Sequence, residues 1–169
     1  MFLDVHSNGG AVAMPTNFLK SYDGQPQMND YSFMWGDKLL IFPCVYENKA
    51  TTDKFPAYIP PTETWYNTND YNFGIIAQTG DVELTASLNY TNVFLKGGSI
   101  VAYQNTTNDV FGKTLNSTMN LVQRPVDLII AQDSMKRASA SFALDDGIET
   151  GLSTLKEVSL SYENKTLRI

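Results

Sequence analysis

Asp145 and Asp146 are the first residues in this sequence whose type invites chemistry. Hydrolysis of a glycosidic bond uses two carboxyl groups that face each other, roughly 5 to 5.5 Å apart for retention and farther apart for inversion. Consecutive residues leaving a strand point to opposite faces, and Gly147 follows directly. The pair therefore reads as a turn whose acids bond nearby backbone N–H groups. A calcium loop would need further oxygen ligands at alternating positions, and Ile148-Glu149-Thr150-Gly151 does not supply that spacing. His6 is the single histidine, so a Ser-His-Asp triad, a Cys-His pair or a zinc cluster would have to be built on the first residues of the chain. Its expected role is local hydrogen bonding. Cys44 is the single cysteine; it stands in the apolar run Leu39 to Val45, where a thiol is expected to pack as a small hydrophobe, and it excludes an internal disulfide. These residues make no complete active site, and no cofactor or metal is expected.

Two further features could bind or be modified. Trp65-Tyr66 lies between a proline-rich stretch and the Asn67 to Asn72 cluster and is the aromatic pair expected to be partly exposed, wrapping a sandwich edge or offering a stacking platform. Asn-x-Ser/Thr triplets at Asn89, Asn105, Asn116 and Asn164 are candidate N-glycosylation sites.

The elements that must position these residues are strands. With 43% hydrophobic and 18% charged residues in a chain of 169, one ordinary core or two small ones can form. A net charge of −6 argues against a phosphate-binding surface, so no nucleic-acid partner is expected. No apolar run approaches the roughly 20 residues of a membrane-spanning helix, and the N-terminus lacks the basic start and apolar stretch of a signal peptide. Residues 2 to 6 read as the last turn of a helix ended by Asn8-Gly9-Gly10, and 16 to 30 as an irregular connection, with organised structure starting near Tyr31. Val82, Leu84, Ala86 and Leu88 alternate with polar neighbours, which is strand spacing with one buried face. Asn92 to Lys96 and Ser99 to Tyr103, separated by Gly97-Gly98, read as a hairpin. Pro56, Pro60 and Pro61 read as loop residues. Past the polar stretch 105 to 120, Val126 to Ala131, Arg137 to Leu144 and Glu157 to Tyr162 make a second β unit, with Leu167-Arg168-Ile169 as a further strand candidate. Three or so strands rarely complete a sandwich, so this second unit is expected to be truncated.

Read in order, Phe33-Met34-Trp35-Gly36-Asp37-Lys38-Leu39-Leu40-Ile41-Phe42-Pro43 resembles the stretch that follows the catalytic barrel in glycoside hydrolase family 31, the α-glucosidase family. Tyr58-Ile59-Pro60 and Thr64-Trp65-Tyr66-Asn67 are similar to that family's Y-x-P and W-Y-D segments. Val93-Phe94-Leu95-Lys96-Gly97-Gly98-Ser99-Ile100-Val101 is similar to its R-G-G-x-I-x-P strand turn, and Leu144-Asp145-Asp146-Gly147 to its L-D-D-G turn. Upstream, His6 to Val12 is similar to the end of the barrel's last helix. The chain departs from the family at Met14-Pro15-Thr16, where family members carry Arg-Pro-Leu, and at Lys96, which keeps the charge of the family's arginine without its bidentate fork.

The resemblance implies an all-β architecture. Residues 1–30 would be a remnant of the last barrel helix and a linker, 31–104 a proximal C-terminal antiparallel β-sandwich, and 105–169 a truncated distal β-sandwich. It also implies a retaining enzyme whose aspartate nucleophile and aspartate acid/base lie on barrel segments outside this chain. The parent's barrel would be the partner, an α-glucoside would be met only through the parent, and the parent would be lumenal or secreted. Two other readings stay open at this point: a free-standing β-sandwich that binds glycans through exposed aromatics, and a partial gene product without function.

Overall fold

β-Branched and aromatic residues, punctuated by Gly, Pro and Asn, form strands almost throughout. The computed structural model describes residues 5, 8–16, 31–46, 53–69, 73–104, 124–144 and 156–169. The strands are β1 (Ala13–Pro15), β2 (Phe33–Trp35), β3 (Leu39–Phe42), β4 (Lys54–Ile59), β5 (Trp65–Asn67), β6 (Gly80–Thr85), β7 (Asn92–Lys96), β8 (Ser99–Tyr103), β9 (Asp127–Ala131), β10 (Ala138–Leu144), β11 (Lys156–Glu163) and β12 (Thr166–Arg168). Among the described residues near the N-terminus, Val5 and Asn8 are helical. Gly9 closes the turn, its N–H donating to the Val5 carbonyl at 2.9 Å. Gly9 and Gly10 take φ of +74° and +106°, values that glycine reaches without a Cβ clash.

The chain divides into two units, Met1–Gly97 and Gly98–Ile169. In the first, an antiparallel sheet of order β1-β2-β3-β7-β5 faces the antiparallel ribbon β4-β6. Met34, Leu40, Phe42, Trp65 and Phe94 from the sheet meet Phe55, Ala57 and Ile59 from the ribbon in one core, with Val82 and Leu84 packed against it. This is sandwich packing, two layers closed over interdigitated side chains. Phe42 and Phe94 meet edge to face at 5.9 Å and 78°. Buried Trp65 donates from Nε1 to the Pro60 carbonyl at 3.0 Å, so its one polar atom is satisfied inside the core. Buried Asn92 donates from Nδ2 to the Thr85 carbonyl at 2.9 Å and ties the end of β6 to the start of β7.

The second unit is a sheet of order β12-β11-β10-β8-β9, antiparallel except where β8 lies parallel to β10. Register puts Ala138 opposite Tyr162, Ala140 opposite Leu160 and Phe142 opposite Val158 on one face. Ile100, Leu128 and Ile130 join that face. The other face of the same two strands carries Ser139 opposite Ser161 and Ser141 opposite Ser159, all exposed. Asn164 and Lys165 at φ of +51° and +62° make the two-residue turn between β11 and β12, the left-handed pair that matches strand twist.

Several sequence expectations are corrected. The hairpin expected across Gly97-Gly98 does not form: β7 pairs with β3 and β5, whereas β8 pairs with β9 and β10. The reason lies in consecutive backbone donors. Gly97 N–H bonds the Thr64 carbonyl at 2.7 Å in the first unit, and Gly98 N–H bonds the Ala131 carbonyl at 2.8 Å in the second. The two compact units thus meet between Gly97 and Gly98. Organised structure also starts before Tyr31, because β1 pairs with β2. Pro56 lies inside β4 and not in a loop; proline is tolerated on a strand with an open edge, and among the described strands β4 pairs with β6 alone. Strand β6 ends at Thr85, so Leu88 leaves the buried face and is 85% exposed.

Two substitutions test this core by urea unfolding of the 169-residue chain. Phe94→Ala should cost about 3 to 5 kcal/mol through the cavity it leaves. Trp65→Phe should cost about 1 to 3 kcal/mol, because the Pro60 carbonyl loses its donor.

Candidate functional site

The residues first considered for chemistry do not converge among the described residues. His6, Asp145 and Asp146 lie outside them, as do Asn105 and Asn116. Among the described residues no group of three or more His, Cys, Asp or Glu side chains could hold a metal ion. Cys44 corrects an expectation: it is exposed. Strand β3 ends at Phe42, Pro43 cannot donate to a continuing ladder, and Cys44 and Val45 beyond it are exposed, while Tyr46 lays its ring 5.8 Å from that of Phe55. Trp65 is fully buried, so it cannot serve as a stacking platform, and half-buried Tyr66 points to the opposite face of β5. Asn89 is exposed in the β6–β7 loop, its N–H held by Ser87 Oγ at 3.1 Å, and Asn164 is exposed in the β11–β12 turn.

What the sheet does bring together is a second apolar face. The register aligns Ala13, Trp35, Leu39, Leu95 and Tyr66 across all five strands of the first sheet. Residues two apart share a face, so Pro15, Phe33, Ile41 and Val93 belong to it too. This face is opposite to the one that forms the sandwich core. Its middle is dry, with Ile41 8% and Leu95 2% exposed, while Trp35 at 42% and Ile76, bridged to Tyr66, at 61% stand out at its rim. Phe73 and Ile75, near Ile76 in sequence, are exposed as well. The exposed large apolar side chains at this rim have the character of an interaction surface. Such a rim can seat another apolar layer.

The motif residues mostly serve architecture. Gly36, at φ +63°, turns β2 into β3. Lys96 Nζ pairs with Glu63 Oε1 at 2.9 Å, with both side chains about a third exposed, and its N–H donates to the Lys38 carbonyl at 2.8 Å. Thr16 and Ser32, both buried, share a hydroxyl hydrogen bond at 3.1 Å. The outer apolar face was missed in the sequence. The available signal was that Leu39 to Phe42 and Val93 to Leu95 are apolar without alternation, as strands buried on both faces are.

Comparison with known proteins gives the fold and face a family. Residues 9–101 match the glycosyl hydrolase family 31 C-terminal domain. A family 31 glucosidase of Schizosaccharomyces pombe is 30% identical over 88% of this chain and 14% of its own length. An alpha-glucosidase of Hordeum vulgare is 28% identical over 87% of this chain and 16% of its own. In fold the chain is similar to the glucosidase II alpha subunit bound to Glc1Man2, with a TM-score of 0.76 at 20% identity, covering 98% of this chain and 17% of that one. An ER glucosidase II heterodimeric complex gives a TM-score of 0.74 at 17% identity, again over 98% of this chain and 17% of that one. These likenesses define a β-sandwich domain of the kind that accompanies a glycoside hydrolase. The chain belongs to glycosyl hydrolase family 31, in its C-terminal domain. It spans 14% to 16% of the length of the first curated relatives it matches.

The outward turn at Pro43 has a direct check. The Cys44 thiol should react with Ellman's reagent without denaturant at one equivalent per chain; a thiol that reports only after unfolding would contradict its placement.

Proposed function

We propose that this chain is the C-terminal accessory region of an α-glucosidase-type glycoside hydrolase, supporting a catalytic barrel and inactive by itself. The observation that carries this is the first sheet's second apolar face, with Trp35 and Ile76 at its rim. One face is used by the sandwich core. On the other, Ile41 and Leu95 are already buried within this chain, and the exposed rim of Trp35 and Ile76 is the part that a barrel's outer helices would cover. On this reading the first unit is the proximal sandwich and the second is one sheet of a distal sandwich. Hydrolysis of a terminal α-linked glucose would belong to the complete polypeptide, with both catalytic carboxylates on the barrel. The names of the relatives, alpha-glucosidases among them, support that substrate class.

A lumenal or secreted address for the parent fits the same reading, supported by an ER glucosidase II complex among the matched structures. Among the described residues no helix is long and apolar enough to cross a membrane. Glycan binding through exposed aromatics has lost its leading anchor, since Trp65 is in the core.

The purified 169-residue chain should release no leaving group from an aryl α-glucoside. Turnover that is present and is abolished by Asp145→Ala together with Asp146→Ala would place the chemistry here and overturn the proposal. Trp35→Asp should leave the chain's urea midpoint within about 0.5 kcal/mol of equivalent stability, as expected for a rim position, while lowering binding of an apolar dye.

A further inference from the structure

We propose that Asn89 is an N-glycan acceptor and that Asn164, although it carries the same triplet, is a turn residue. The inference rests on the lumenal or secreted address proposed above.

The triplet Asn89-Tyr90-Thr91 lies between β6 and β7, outside both ladders. Asn89 and Thr91 are exposed. The only hydrogen bond of Asn89 among the described residues is made by its backbone N–H to Ser87 Oγ, which leaves the side-chain amide without a partner. Its φ is not in the left-handed region, so the triplet can reach the extended form in which the threonine hydroxyl and the acceptor amide are read together. Leu88 beside it is 85% exposed and Tyr90 is half-buried, so a first sugar on Asn89 would lie against apolar surface that water now covers.

Asn164-Lys165-Thr166 differs in the backbone. Asn164 and Lys165 are both left-handed, and Thr166 is already paired in register with Glu163. Such a pair sets the two-residue turn, so in the folded hairpin the triplet is not extended.

The donor class is an oligosaccharide linked to a polyprenyl diphosphate. Asn89 Nδ2 would attack C1 of the first sugar and form the N–C1 bond. The C1–oxygen bond to the diphosphate breaks, its electron pair leaving with the lipid diphosphate, and one Nδ2 proton passes to the transferase's base. No oxidant or reductant is involved.

The test attaches a cleavable secretion leader to the full 169-residue chain in a eukaryotic host, so that entry into the lumen is imposed. Chain recovered from the medium is treated with peptide N-glycosidase in heavy-oxygen water and mapped by mass spectrometry. The expected result is a heavy-oxygen aspartate at position 89, lost in Asn89→Gln. It should also be lost in Thr91→Ala, which keeps the asparagine, and be unchanged in Asn164→Gln. An unmodified Asn89 in secreted chain overturns the proposal, and a heavy-oxygen aspartate at position 164 overturns the reading of Asn164 as a turn residue. The natural protein provides the separate arm. Asn89 occupied with the leader, but every triplet bare in protein from its own cells, supports the site and overturns the address.

Discussion

Phe94 and Leu95 are consecutive residues of one strand, so they point to opposite faces of the sheet, and each is only 2% exposed. A strand that is dry on both sides needs a layer on both sides. The β4-β6 ribbon supplies one of them by closing over Phe94, Phe42, Leu40 and Met34. The other side is the face whose rim shows Trp35 and Ile76. Strand β7 lies between β3 and β5, and its burial on this second side, like that of Ile41, is complete within the chain. What remains open to the larger catalytic partner proposed above is the rim, Trp35 and Ile76.

The junction at Gly97-Gly98 depends on the same strand. The last residues of β7 are fixed by the pairing of Leu95 with Leu39 and of Lys96 with Trp65. The chain must then leave the first sheet within two residues and enter another. Gly98 takes φ +85°, and a Cβ built there would lie 3.5 Å from Asp133 Cβ, so glycine is required by conformation more than by space. Family motifs that look like binding signatures in a linear sequence are here a turn, a strand exit and a buried tryptophan.

Much of the fold was legible because its signals are local. Alternation at Val82 and Leu84 placed β6, and alternation at Ala138 to Leu144 and Val158 to Tyr162 placed β10 and β11 with the correct face inward. Partner choice was not legible, since pairing is decided by tertiary hydrogen bonds: the glycine pair after Lys96 has hairpin chemistry, yet its two N–H groups go to Thr64 and Ala131. Strand β1 was missed because Ala13-Met14-Pro15 is too short to show a period. Pro56 was read as a loop because an open strand edge cannot be seen before the partners are known. For the candidate site, the sequence directed attention to Trp65, a fully buried aromatic, whereas Trp35 is at the rim of the outer face. The two differ in which side of the sheet their register assigns, and register is a property of the folded pairings.

The most direct measurement of the central claim is the size and activity of the natural gene product. An antibody raised against residues 1–169 should capture, from cells that make it, a polypeptide far larger than the 18.8 kDa of this chain, and the captured material should hydrolyse an aryl α-glucoside. Capture of an 18.8 kDa species alone, without that activity, would contradict the account of this domain as the accessory part of a catalytic barrel.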